Sequence, residues 1–189
     1  MRLAKLTTVS IALALAATSG RAQAPVAPTP DTLPHPAARP ADVASSDAIL
    51  AALYDVISGG AGVKRDWDRF RSLFVPYARL IPTSPIPSGG ARAVVLGVED
   101  YVKRAGPGLE SSGFFEVEVN RTWEQYGNIA HAFSTYESRR TADKAEKPFA
   151  RGINSIQLLK DGNRWWVVSI YWDAERPGNE IPAKYLPRP

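Results

Sequence analysis

Residues 113–173 constrain this chain more than any other stretch. They read as four long antiparallel strands in succession, about 113–124, 128–140, 150–160 and 164–173. Gly127-Asn128 and Asp161-Gly162-Asn163 supply the positive-φ residues that tight hairpins require. The charged segment Thr141–Lys147 reads as a solvated loop. Side chains alternate across a strand, so the last strand offers Trp165, Val167, Ser169 and Tyr171 on one face and Trp166, Val168, Ile170 and Trp172 on the other. Neither face is polar. A tryptophan hides ~150–250 Å², and leaving one in water forgoes about 4–6 kcal/mol at ~25 cal/mol per Å². Both faces are therefore expected to be covered. The chain's own helices can cover one side. For the other, a partner subunit is favoured over the short proline-rich tail Pro177–Pro189.

Helices come first in this domain. Ser45 or Ser46 can cap a run in which Ile49, Leu50, Leu53, Val56 and Ile57 recur at helical spacing, and Gly59-Gly60 ends it. A second helix is expected from about Asp66, with Trp67, Phe70, Leu73 and Phe74 on one face, Asp66 as its cap and Asp68 complementing its dipole. Pro76 is expected to stop it. Tyr77–Ile81 reads as a short strand, 82–90 as a loop, Arg92–Leu96 as a second strand, and Val98–Ala105 as a short helix ending at Gly106-Pro107-Gly108.

The N-terminus has a different character. Arg2 and Lys5 precede an apolar run from Leu6 to Ala17, and small residues lead to Ala22-Gln23-Ala24. This is the layout of a secretory signal peptide over 1–24, cut after Ala22 or Ala24, and the run is short for a membrane span. A periplasmic or secreted protein follows as the expectation. Residues 25–44 hold six prolines and no apolar period, and read as an extended linker. Residues 45–189 are one domain's worth of chain, long enough to build a core.

Export changes the charge balance. The whole chain carries +4, but Arg2, Lys5 and Arg21 fall in the expected leader, which leaves 20 basic against 19 acidic residues. A nucleic-acid surface needs a surplus of Lys and Arg on one face, and that surplus is gone. There is no cysteine, so disulfides and thiolate metal sites are excluded.

The order helix-helix-strand-strand-helix and four long strands resembles the nuclear transport factor 2-like (cone-shaped α+β) superfamily, in particular its small secreted bacterial members. The residues that carry the resemblance are Gly127–Glu137 (GNIAHAFSTYE), Gly152–Leu158 (GINSIQL) and Lys160–Trp165 (KDGNRW), within roughly 46–174. It implies a curved mixed or antiparallel sheet wrapped around the N-terminal helices, a cone-shaped pocket between them, and a homodimer formed through the outer sheet face. By the same resemblance the pocket would be lined by Ser134, Tyr136, Ser155, Gln157, Ser169 and Tyr171, with Tyr54 and Trp67 from the helices. The dimer face would hold His131, Phe133, Ile156, Trp166, Val168, Ile170 and Trp172. A slip of one residue would exchange these sets.

The catalytic inventory is thin. His131 is the only histidine of the domain, so a His-rich metal site is excluded, and no loop has the acid spacing of a calcium site. No G-x-S-x-G elbow exists. His131 could act as a base near neutrality, but the implied register turns it away from the pocket. Glu116 and Glu118 read as solvated acids on the polar face of a strand. Asp66 and Asp68 read first as cap and dipole residues. Steroid-isomerase-type members use pocket acids with a tyrosine; Tyr54, Tyr136 and Tyr171 could supply the phenol, and no acid is identified at the matching strand positions. Neither a cofactor nor a metal is expected. Three functions remain open: an exported binding protein for a small hydrophobic ligand; a lyase or isomerase for a hydrophobic carbonyl compound, with His131 or Asp68 as base and Tyr136 as oxyanion donor; and a structural dimerisation module.

Overall fold

The computed structural model describes residues 35–188. The expected signal peptide, 1–24, and the expected linker as far as residue 34 lie outside the described residues. The architecture is α+β: one six-stranded mixed sheet, not closed into a barrel, curls around helices on its concave side.

Sequence capping signals place the helices. In α2 (Ser46–Ile57) the Ser45 side chain accepts from the Ala48 N–H, and the buried stripe Ile49, Leu50, Leu53, Val56 and Ile57 faces the sheet. In α3 (Trp67–Ser72) Asp66 accepts from the Arg69 N–H. The chain then passes directly into β1 (Phe74–Pro85), so Pro76 lies inside a strand and not at a helix end. It is tolerated because it falls where the pairing of β1 with its neighbour shifts register, between Phe74 and Arg79. The expected loop 82–90 is likewise strand as far as Pro85, where β1 pairs with the short β2 (Ala91–Ala93).

Helix α4 (Val98–Ser112) runs seven residues past its expected end, through Gly106-Pro107-Gly108. A helix-interior proline costs ~3 kcal/mol, and tertiary packing overrides it. A Cβ at Gly106 would lie 3.1 Å from the Trp67 ring, and Glu110, one turn on, accepts from the Trp67 indole N–H at 2.9 Å and from the Arg65 N–H at 3.1 Å.

Strands β3 (Phe115–Tyr126), β4 (Ile129–Arg139), β5 (Ala150–Asp161) and β6 (Arg164–Ala174) form the antiparallel body of the sheet. Its order is β2-β1-β6-β5-β4-β3, with β1 parallel to β6. The hairpins turn on Gly127 (φ 54°) and Gly162 (φ 58°), while Asn128 and Asn163 keep negative φ.

Two bulges reassign the faces. Val119 is the extra residue on β3, between the pairs Glu118–Tyr136 and Asn120–Thr135. Val168 is the extra residue on β6, between Leu158–Val167 and Gln157–Ser169. Each bulge inverts the alternation beyond it. On β6 the helices therefore receive Trp165 and Val167 before the bulge but Ile170 and Trp172 after it.

The convex face is partly covered by the chain itself. Residues 35–44, expected as the end of an extended linker, pack on the domain. His35 meets the Trp166 ring edge-on with centroids 5.3 Å apart, and Arg164 lies over the same indole at 3.2 Å. Helix α1 (Pro40–Val43) buries Val43, and its Asp42 accepts two hydrogen bonds from Arg69, at 2.7 and 2.9 Å. At the other end the tail forms a 3-10 turn, Ala183–Tyr185. The Thr135 hydroxyl donates to the Tyr185 carbonyl at 2.6 Å, and the Tyr185 ring meets Phe133 at 4.9 Å. The tail, passed over above in favour of a partner, thus supplies part of the cover.

Candidate functional site

Strand pairing puts Ser134 opposite Asn154, Tyr136 opposite Gly152 and Ser138 opposite Ala150 on the concave side. On β3 the acids Glu116 and Glu118 pair with Ser138 and Tyr136, and therefore also point into the cone. Helix α2 contributes Tyr54 and α4 contributes Tyr101. Of these side chains, Tyr54, Tyr101, Glu116, Tyr136, Ser138 and Asn154 line a cavity of about 300 Å³, whose wall is otherwise apolar: Leu53, Phe70, Leu80, Ile170 and Trp172 among others, with Phe114 and Phe149 at one end. A second, more open cleft of about 500 Å³ lies beside it, and both are lined by Tyr54 and Glu116.

Glu116 is the chemically distinctive residue. It is partly buried and lines both hollows. Burial pushes its pKa up to about 7; the hydrogen bonds from the Ser138 hydroxyl (2.8 Å) and the Asn154 amide (3.5 Å) act in the opposite direction, because they favour the ionised form. The phenols Tyr101 and Tyr136 line the same cavity, and their hydroxyls make no hydrogen bond among the described residues. Burial raises the pKa of each, with the Glu116 charge adding to the effect, so both stay protonated as donors. Tyr54 is shifted upward for the same first reason. Its hydroxyl is engaged by Ser134 at 2.6 Å and by the Asn154 amide at 3.1 Å. A carboxyl that titrates near neutrality, facing protonated phenols across an apolar space, can accept and return a proton while a developing oxyanion is held.

Several residues read from the sequence stand elsewhere. His131 lies on the convex face, where its Nε2 is 2.9 Å from the Ser155 hydroxyl and its ring meets Phe133. Asp68 is exposed and paired to Arg71 at 2.9 Å. Trp67 packs against Phe70 and bonds Glu110, outside the cavity lining. Ser155 and Gln157 are on the convex side, because their β4 partners Phe133 and His131 are. The Val168 bulge sends Ser169 and Tyr171 to that side as well, and brings Ile170 and Trp172 inward; Ile156, opposite Ala132, is core. Ser134, Tyr136 and Tyr54 do face the cone, and Phe133 and Trp166 face outward.

The central omission was Glu116, with Asn154 and Tyr101. Polarity alone assigned Glu116 and Glu118 to solvent. No local signal marked them, because which face of β3 turns inward is set by its pairing with β4. No group of three or more His, Asp or Glu side chains is arranged to hold a metal ion among the described residues.

No family model matches the chain, and no curated protein matches it. Solved structures do. A protein of unknown function from Mycobacterium tuberculosis superposes with a TM-score of 0.51 at 13% identity, covering 72% of this chain and 75% of that one. An NTF-2-like protein of unknown function from Silicibacter pomeroyi gives 0.46 at 14% identity, over 68% and 92% of the two chains. The CaMKII hub of S. rosetta gives 0.46 at 15% identity, over 68% and 90%. At such identities the likeness is one of fold alone: the chain shares its fold with the Mycobacterium tuberculosis protein.

Proposed function

We propose that this protein is a lyase or isomerase that moves a proton on a compact, largely apolar carbonyl compound, with Glu116 as the general base and acid. The observation that carries this reading is the Glu116 carboxyl set in a largely apolar cavity beside two phenols that make no hydrogen bond among the described residues. A base whose pKa lies near ambient pH is the most effective shuttle, and such groups contribute ~10²–10⁴-fold to a rate. Tyr136 and Tyr101 are positioned to donate to the oxygen that gains charge as Glu116 takes the neighbouring proton. His131 and Asp68 have no part in it, since neither borders the cavity.

The test is conversion of small β-hydroxy ketones and β,γ-unsaturated ketones to conjugated enones, followed by ultraviolet absorbance. Wild-type protein should turn over at least one compound, with kcat falling as pH drops below 7. Glu116→Gln should lose ~10²-fold or more, and Tyr136→Phe should lose less. Binding of these compounds without turnover, at equal affinity in wild type and Glu116→Gln, would overturn the enzymatic assignment. It would favour the second reading, a small-molecule carrier, which the apolar lining of the cavity supports by itself.

Export belongs to the same proposal, and rests on the leader-like residues 1–24. N-terminal sequencing of the protein from its native compartment should begin at Gln23 or Pro25. A homodimer through the remaining convex surface is also proposed. Tyr171 stays about half exposed there, at 48%, between the patches covered by the N-terminal segment and by the tail.

A further inference from the structure

Three polar side chains link Glu116 to an ion pair at the side of the cone. Arg121 grips Glu118 from two nitrogens, Nε at 2.9 Å from Oε1 and Nη2 at 2.6 Å from Oε2, and also donates to Asp47 at 2.6 Å. A carboxylate only accepts, so the Ser134 hydroxyl must donate to Glu118, at 2.6 Å. That uses the single proton of Ser134. The contact of 2.6 Å between Ser134 and Tyr54 is then a donation from the phenol. With its own proton spent, the Tyr54 oxygen can only accept from Asn154, at 3.1 Å, and the same amide nitrogen is 3.5 Å from Glu116 Oε1.

We propose that the Glu118–Arg121 ion pair is a positioning device: it sets the direction of the chain Asn154–Tyr54–Ser134–Glu118, so that Asn154 turns its amide nitrogen and not its carbonyl oxygen toward Glu116. Glu118 and Arg121 line the neighbouring open cleft and are not among the residues lining the cavity. Its role deepens the assignment of Glu116 as the proton-transfer group and rests on that reading for its functional meaning. Because each link has one proton to give, the charge at one end decides the dipole at the other.

Replacing Glu118 with Gln reverses the chain. The Gln oxygen goes to the Arg121 donors and its amide nitrogen faces Ser134. Ser134 then donates to Tyr54, Tyr54 donates to Asn154, and the Asn154 carbonyl oxygen swings toward Glu116, where it favours the protonated acid. Direct electrostatics has the opposite sign, since removing a nearby negative charge eases ionisation of Glu116. Other charges are unaltered by the change: Asp47 and Asp55 on α2, Arg139 on β4 and Lys144 in the following loop, which share the open cleft with Glu116, and Asp173 on β6, which acts on Tyr136. The phenols Tyr54, Tyr101 and Tyr136 remain protonated throughout.

The experiment is a carboxyl-carbon NMR titration of Glu116 in protein labelled at glutamate, assigned with Glu116→Gln. In Glu118→Gln the Glu116 midpoint should rise by about one pH unit. Ser134→Ala, which leaves the Tyr54 proton no acceptor but the Asn154 oxygen, should raise it as well and guards against a misfolded first variant. Adding Glu118→Gln to Ser134→Ala should now lower the midpoint, because only the through-space effect survives. A fall in Glu118→Gln alone, or an unmoved midpoint in Ser134→Ala, overturns the proposal. The titration requires no turnover, so an inactive wild-type protein would overturn the enzymatic assignment and leave this coupling standing.

Discussion

Glu116 shows how one desolvated carboxyl can work against stability. Its carboxyl rises from an ordinary 4.5 to about 7 because burial disfavours the charge. With a raised folded-state pKa, the group contributes no penalty below about pH 4.5, where it is neutral in both states. The penalty grows between 4.5 and 7 and is complete above. Glu116→Gln should therefore leave stability unchanged at pH 4 and raise it at pH 8 by ~1–3 kcal/mol, given 1.36 kcal/mol for each pKa unit. Urea unfolding at the two pH values measures this; a variant equally stabilised at both would show that the carboxyl is not desolvated. Gly152 guards the same site from the opposite side. A Cβ there would meet the Asp173 carbonyl oxygen and lie 2.5 Å from the Tyr136 hydroxyl. Gly152→Ala should cost ~1–3 kcal/mol by overpacking and displace the Tyr136 phenol, which thermal unfolding and the enone assay would register together.

At the scale of elements, helix α1 is held by charge more than by area. It is four residues long, and a helix of that length has no stability of its own. Asp42, which is buried, takes both bonds from Arg69, which also donates to Asp55 at 2.5 Å. The hydrogen bonds from Arg69 are the largest cause of the lowered Asp42 pKa. A depressed acid stabilises the fold above its unfolded pKa and ceases to do so as pH falls through the folded value. Asp42→Asn should cost ~1.5–3 kcal/mol at pH 7, and the difference from wild type should close as pH drops below about 3.8. Hydrogen exchange should then show residues 35–44 opening ahead of the sheet. Strand β6 teaches a different lesson. Val168 adds one residue, and that residue decides whether Trp172 faces Tyr101, with ring centroids 6.3 Å apart, or faces water.

For the molecule as a whole, the convex face is a composite. His35 and Arg164 cover Trp166 at one end, and Tyr185 covers Phe133 and Thr135 at the other. What remains between them, around Tyr171 and Ser155, also borders a hollow of about 320 Å³ rimmed by the tail residues Ile181 and Pro182. If the proposed homodimer forms there, Tyr171→Asp should convert it to monomer in sedimentation velocity, with unfolding of the monomer itself changed by less than ~0.5 kcal/mol, as for a surface substitution. A wild-type monomer at all concentrations would remove the dimer from the proposal.

Local patterning in this sequence was enough for the fold. Capping serines and aspartates, glycine turns and paired apolar strands act over a few residues, so α2, α3 and β3 to β6 were legible; the cone was expected from the resemblance that their order carries. Pro76 and Pro107 misled for the complementary reason: their local preferences were overridden by a register break in β1 and by the packing of Gly106 on Trp67. The site depended on parity. A bulge inserts one residue without any marker in composition, and every side chain beyond it changes face; Val168 exchanged Ser169 and Tyr171 for Ile170 and Trp172, and the pairing of β3 with β4 took Glu116 from the water to the cavity. Which acid is desolvated, and so able to handle a proton at neutral pH, is set by long-range strand register, and only the tertiary structure contains it.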